Sequence, residues 1–340
     1  MKTHNAQNER VKHAYFTYLR EAKGMSEASI DQTAKALNRF ETYTAYRDFK
    51  QFHRKQAEAF KQHLAGQRGQ RTNEPLSKAT IYSTLTALKA FFVWLAGQPG
   101  YKSRISYADT EYFNMTMKDA RVAKAVREPR VPTLEQIRHV LRLMPAATTI
   151  DRRNRAIVAF TILTGARDGA VASMKLKHID LDQNLIEQDA REVRTKFSKS
   201  FTTYFFPVGD DIRAIVAEWV MFLRAELLFG FDDPLFPASR VVVGDDGQFR
   251  ADGLDRKRWS NASPIRKVFK EAFENAGLPT FNPHSFRKTL ARLGQKKCRT
   301  MEEMKAWSQN LGHEELMTTF ASYGTLSRNQ QADIMGAFAR

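Results

Sequence analysis

The sequence predicts a mainly α-helical chain with a small antiparallel β-sheet, arranged as an N-terminal helical domain followed by a mixed α+β domain. Apolar residues recur at helical spacing through the first part of the chain, and between Leu185 and Val208 the period shifts towards two with β-branched and aromatic residues. A basic stretch at 118–131 separates the two regions, and 340 residues suffice for two independent cores.

The elements follow in order. A first helix is expected over residues 11–23, with Ala14, Tyr15, Tyr18 and Leu19 on one side and Gly24 beyond its end. A second follows Ser26 through Ile30, Leu37 and Phe40, and a third spans 55–65 around Ala57, Phe60 and Leu64. Ser77 is placed to cap a fourth that carries Ile81, Leu85, Leu88, Phe91, Phe92 and Leu95. The aromatic set Tyr82, Phe91, Phe92 and Trp94 reads as core, since large rings at helical spacing are buried more often than they stack on bases.

From 118 to 130 basic residues fall at every third position: Lys118, Arg121, Lys124, Arg127 and Arg130. That period lines one side of an extended or polyproline-like segment, whereas on a helix it drifts by about 60° per step. The stretch therefore reads as an interdomain linker, either running along a phosphate backbone or serving as a solvated tether.

The second domain, 132–340, opens with Thr133 and Gln136 as a capping box before Ile137, Val140, Leu141 and Met144. An apolar helix around 156–165 lacks a polar face and should be buried; Gly165 ends it and Arg167 follows. The period-two region predicts a small antiparallel sheet with a turn near Phe197 to Ser200, and helical spacing resumes at Asp211. Residues 231–259 read mostly as loop. Ser263 and Pro264 start another helix, and Asn282 and Pro283 a further one, with a side-chain cap followed by proline at the first helical position.

The formal net charge of +17 and pI near 9.9 suit a polyanionic partner. Residues 1–117 hold 18 basic and 10 acidic side chains, leaving 36 and 27 of the totals 54 and 37, so both parts are basic. The charges are spread out, unlike the single polybasic block of a membrane-surface protein. Cys298 is the only cysteine, which excludes an intramolecular disulfide and points to a reducing compartment. With neither a signal-peptide core nor an uninterrupted apolar run of ~18 residues, a soluble cytoplasmic protein is expected, with no membrane partner.

The eight histidines show no ligand spacing, and the pairs Asp232–Asp233 and Asp245–Asp246 sit among turn residues, so no metal site is expected. Nor is there a phosphate-binding loop for ATP. Cations and a phenol remain. His284 and Arg287 share a helix face near its N-terminus; Arg167 lies just past a buried helix; His313 and Tyr323 follow downstream. Two arginines can clamp the nonbridging oxygens of a phosphodiester, a lysine of the sheet turn, Lys196 or Lys199, can reach the leaving oxygen, and Tyr323 can attack phosphorus. Alone, a helical His or Arg is usually a satisfied or surface group and Tyr323 would more often be core; together they point to one phosphate site.

These residues resemble the tyrosine recombinases, or phage integrases: TGAR at 164–167, TKFSK at 195–199, HSFR at 284–287, LGH at 311–313 and Tyr323 match the family's signature in order and approximate spacing. The resemblance implies a SAM-like core-binding domain over 1–117 and a catalytic domain over 132–340. It implies that Arg167 and Arg287 bind the scissile phosphate, that His284 assists proton transfer and that His313 hydrogen bonds a nonbridging oxygen. Of the two lysines, Lys196, read at the strand end before the turn, is preferred as the group protonating the 5′ oxygen. Tyr323 would form a 3′-phosphotyrosine, without cofactors. Ala170 stands where the family often has an acidic residue, and His313 to Tyr323 is one residue longer than the commonest spacing.

The resemblance further implies double-stranded DNA recombination sites as partners, a homotetramer in the synaptic complex, accessory DNA-bending or directionality factors, and carriage by a mobile element. Leu326, Ile334, Met335 and Phe338 would let a C-terminal tail dock on a neighbour or on its own domain. A non-catalytic DNA-binding regulator and a type IB-like topoisomerase are the competing readings.

Overall fold

The computed structural model describes residues 4–69, 73–125, 130–244, 246–313 and 335–336. The chain divides into two compact units, Met1–Val126 and Arg127–Arg340.

In the first unit, helix α1 (Ala6–Thr17) continues into a π-helical turn, Tyr18–Ala22. It starts earlier than its apolar spacing indicates because its first turn is polar. The Asn5 side chain accepts the amides of Gln7 and Asn8, and the buried Asn8 amide donates to Glu41 at 3.0 Å. Helices α2 (Glu27–Tyr43), α3 (Arg54–Gly66) and α4 (Lys78–Ala96) follow the apolar pattern. They close around Phe40, Phe52, Phe60, Phe91 and Phe92, joined by Phe113 from the segment after the short α5 (Tyr107–Thr110). Trp94 is half-buried against Tyr15, and Tyr82 is also only partly buried. By length and composition α4 could cross a membrane, but its apolar residues from Ile81 to Leu95 are the centre of this core.

The basic stretch after residue 117 is not extended as far as Lys124: Met117–Lys124 form helix α6. Thr116 caps it by accepting the Asp119 amide at 3.1 Å, and Asp119 pairs with Lys78 of α4. Lys124 lies over the Tyr82 ring, 5.1 Å from its centroid. A period of three among the charges misled because α6 buries no residue and so carries no apolar stripe. Lys118, Arg121 and Lys124 thus stand on a helix of the first unit; Arg127 lies outside the described residues, and Arg130 is the first described residue of the second unit.

The second unit begins with α7 (Leu134–Leu143), where Thr133 and Gln136 form the expected capping box. Helix α8 (Thr149–Thr164) is the central rod, with every residue from Ala156 to Thr164 buried. It leads through Gly165 to the short α9 (Asp168–Val171). The sheet is three-stranded and antiparallel, β1 (Ile179–Asp180), β2 (Leu185–Gln188) and β3 (Phe201–Tyr204), with Leu185 opposite Tyr204 and Gln188 opposite Phe201. Lys196 is therefore not at a strand end; β2 stops at Gln188, and Lys196–Ser198 form a 3-10 turn in a long connection to β3.

Helix α10 (Asp210–Ala225) packs Ile212, Val216, Trp219 and Leu223 onto α8. The region read as loop contains a hairpin, β4 (Ser239–Val243) and β5 (Phe249–Leu254), that exposes Val241, Val243 and Phe249. Helices α11 (Ser263–Asn275), α12 (Pro283–Lys297) and α13 (Met301–Asn310) complete the unit. Asn282 caps α12 by accepting the Ser285 amide, and Thr289 on that helix donates to the Pro132 carbonyl at 2.6 Å.

Candidate active site

The site is assembled where α8, α12 and α13 end or begin. Gly165 ends α8 at φ +63°, a left-handed conformation that spares glycine the clash of a Cβ. A Cβ there would also lie 3.0 Å from both Leu290 and Leu311. The turn places Arg167 as the residue capping α9, half-buried and with no hydrogen-bond or ion-pair partner among the described residues. Burial lowers its pKa.

Arg287, one turn into α12, is only 5% exposed. Its Nη1 donates to the Gly165 carbonyl, and its Nη2 donates to the Leu311 carbonyl and, at 3.0 Å, to Nε2 of His313. Gly165 and Leu311 are the C-terminal caps of α8 and α13. The buried cation is thus compensated by the partial negative charge of two helix ends, each of order half an elementary charge, in place of a carboxylate. The compensation is incomplete: burial, then the nearby Arg167, push the Arg287 pKa down to about 9, and Nε is buried without a hydrogen-bond partner.

His313 reaches Arg287 through the LGH turn. Leu311 is fully buried, Gly312 is left-handed at φ +68°, and a Cβ on Gly312 would stand 2.6 Å from the Phe201 ring. A guanidinium only donates, so the His313 Nε2 accepts and the neutral ring carries its proton on Nδ1. Burial, then Arg287 and Arg167, with smaller effects of His284 and Lys196, push its pKa down to about 4. His284, in the first turn of α12, is also lowered, first by burial and then by Arg287, Lys288 and Arg167, while Asp168 opposes them. Both imidazoles are held neutral near pH 7 by burial and the surrounding positive field.

Arg167, Lys196, Asn282 and His284 line one open cleft of about 500 Å³. Lys196 is carried to it by a strained turn, in which Phe197 (φ +61°) and Ser198 (φ +50°) are both left-handed. The Lys196 ammonium rests 4.7 Å from the centroid of the Phe197 ring, which is 76% exposed. Lys199 lines a different, larger groove, with Trp307 and His313, on the β3 side. Arg130 borders a small adjoining cleft with Asn282, His284 and Lys288. Tyr323 lies outside the described residues, as do Leu326, Ile334 and Phe338 of the tail; Met335 is described and exposed.

Two residues of the cleft escaped the sequence reading. Asp168 and Arg266 line it with Arg167, and the Arg266 Nε donates to Asp168 Oδ2 at 2.6 Å. Asp168 follows Arg167 directly, a visible signal; nothing local ties α11 to it across 98 positions. Among the described residues, no three of His, Cys, Asp or Glu gather as metal ligands. The arrangement suits an anion with tetrahedral oxygens: cations from separate segments, two neutral imidazoles for proton traffic and an ammonium on an open loop.

A family model described as "Phage integrase family" matches residues 133–330, more than half of the chain and nearly all of the unit that holds this cleft. The chain belongs to the phage integrase family. A second model, "Phage integrase, N-terminal SAM-like domain", matches residues 13–98. Membership in these tyrosine recombinases agrees with the helical first unit and the mixed second one. The chain is similar to Tyrosine recombinase XerC from Lactobacillus delbrueckii subsp. bulgaricus, with 24% identity over 254 residues, covering 73% of this chain and 72% of the relative. Its fold is shared with XerH site-specific recombinase bound to palindromic difH substrate (TM-score 0.63, 17% identity, 97% of this chain and 85% of the other). It is shared equally with a lambda integrase dimer bound to a COC′ core site (TM-score 0.62, 14% identity, 94% and 96% covered).

Proposed function

We propose that the chain is a site-specific recombinase that cleaves and rejoins double-stranded DNA through a 3′-phosphotyrosine on Tyr323, in the service of a mobile genetic element. The observation that carries this is the convergence of Arg167, Arg287, His284 and His313, from separate segments, beside a cleft that also receives Lys196. In this reading Arg167 and Arg287 hold the nonbridging oxygens of the scissile phosphate and His313 donates to one of them. The Tyr323 oxygen attacks phosphorus as neutral His284 accepts the phenol proton, and the P–O5′ bond breaks as Lys196 gives its proton to the leaving oxygen. The phosphotyrosine bond keeps the energy of the broken bond, so a second 5′ hydroxyl can reverse the step on another strand without ATP.

The DNA-bound states of the lambda integrase and XerH neighbours support duplex recombination sites as the substrate. The basic residues Lys118, Arg121, Lys124, Arg127 and Arg130 would add phosphate contacts, four protomers would form the synaptic complex, and accessory factors would set direction. The C-terminal tail would dock on a neighbouring protomer or fold back on its own domain.

The test is incubation with nicked suicide duplexes drawn from the flanks of the gene, scored for a denaturant-stable protein–DNA adduct. The wild-type chain should form one and Tyr323→Phe should not, at unchanged DNA affinity. Tight binding without an adduct on any flank would leave a regulator; relaxation of supercoils without a defined site would indicate a topoisomerase.

A further inference from the structure

Beyond the residues that surround the scissile phosphate, the cleft holds an arginine whose pairing leaves most of its donors unspent. Arg266 sits in the first turns of α11 and its side chain is 60% exposed, in contrast to Arg287. It reaches Asp168 with Nε alone, at 2.6 Å; among the described residues, neither Nη1 nor Nη2 has a protein partner. An arginine paired for its own sake with a carboxylate tends to use its parallel two-nitrogen fork. Here the one-nitrogen contact fixes the plane of the guanidinium and keeps two terminal nitrogens for something else.

The carboxylate is itself fixed. Asp168 Oδ1 accepts the Gly169 amide at 2.9 Å, while Oδ2 takes Arg266. Asp168 is only a quarter exposed, and it is the sole acidic residue lining the cleft, among the described residues, beside Arg167, Lys196 and His284. Ala170, buried nearby, offers no alternative carboxylate. Asp168 thus adjoins Arg167 in sequence and anchors Arg266 from α11, so the two cations sit on one cleft at different depths.

We propose that Arg266 is a further DNA-contacting residue, held by Asp168 and gripping with its terminal nitrogens a phosphodiester that flanks the scissile one. The proposal rests on the recombinase reading. The scissile phosphate is already met by Arg167 and Arg287. A nucleic-acid strand presents phosphates at regular intervals, so a cleft with cations at both its depth and its exposed edge engages more than one. Asp168 acts as a positioning residue: its charge orients the arginine without using the donors that face the ligand.

The experiment is a binding cycle on the nicked duplex, replacing single phosphates around the cleavage position by uncharged methylphosphonates, with wild type, Arg266→Ala and Arg266→Lys. For wild type, neutralising one flanking phosphate should weaken binding by roughly tenfold, and Arg266→Ala should show the same loss on the native duplex but no further loss at that one position. Its salt dependence should fall by about one counterion. Arg266→Lys should keep the salt dependence but recover only part of the position-specific coupling, since an ammonium cannot hold Asp168 and a phosphate fork together. Additive losses at every phosphate, or a salt slope unchanged in Arg266→Ala, would overturn the proposal. Adduct formation by the wild-type preparation separates this failure from that of the recombinase reading: an adduct with no Arg266 coupling refutes only the flanking contact.

Discussion

Gly165→Ala isolates the link between backbone conformation and the cleft. The φ of +63° costs an alanine about 1–2 kcal/mol, because its Cβ crowds the carbonyl. The new methyl would also stand 3.0 Å from the Leu290 and Leu311 side chains, inside a packed core, and such overpacking costs about 1–3 kcal/mol. Together the loss is about 3 kcal/mol, read as a lower urea midpoint at unchanged slope. Gly169→Ala is the internal control: its φ is not positive and its Cβ would meet the Arg194 carbonyl at an ordinary 3.4 Å, so stability should stay within about 0.5 kcal/mol. Function should follow the same division. The Gly165 carbonyl holds Arg287, and a shift of this carbonyl by about 1 Å should slow adduct formation by about 100-fold in protein that remains folded. If Gly165→Ala unfolded at the wild-type midpoint, or Gly169→Ala lost more than Gly165→Ala, the assignment of strain to this turn would be wrong.

Two further outcomes are expected. Lys196→Ala should slow cleavage by about 100-fold, and a 5′-bridging sulfur, whose thiolate leaves without a proton, should restore the rate; Lys199→Ala should show no such rescue, and the reverse pattern would reassign the acid. The folded His313 pKa of about 4 lies below that of a free imidazole, so the unfolded chain binds more protons between about pH 6.5 and 4. The resulting stabilisation is complete above about pH 6.5 and is lost as pH falls towards 4. After discounting for the ring's partial exposure, it amounts to about 1–2 kcal/mol. His313→Gln should flatten urea midpoints across that window, and an unchanged pH dependence would show that His313 does not titrate as described.

What the sequence made legible depended on whether a residue's neighbours lay close along the chain. Caps did: Thr133 with Gln136, Ser77, and Asn282 before Pro283 each declare a helix start through side chains within one turn, and each is observed. The buried rod of α8 was equally plain, since it has no polar face over its last turns. The polar first turn of α1 was hidden because its support, Glu41, lies 33 positions away. Helix α6 and the β4–β5 hairpin lacked the patterns a core imposes: α6 buries nothing, and the hairpin exposes Val241 and Val243 on the same strand. The cleft divided similarly. Arg167, His284, Arg287 and His313 announced themselves as an ordered set, while Arg266 acquires meaning only through a contact to Asp168 that folding creates.

The manner in which Arg287 is held has a consequence for the charge of the cleft. Carboxylate partners would have cancelled the guanidinium at distance, leaving a short-range dipole, and would have made that cancellation vary with acidity. Carbonyl groups at the ends of α8 and α13 anchor it while contributing no net charge and no proton of their own. The arginine is therefore anchored by groups that do not titrate, and the part of its charge they leave uncompensated is cast into the cleft unchanged from mildly acidic solution up to its own pKa.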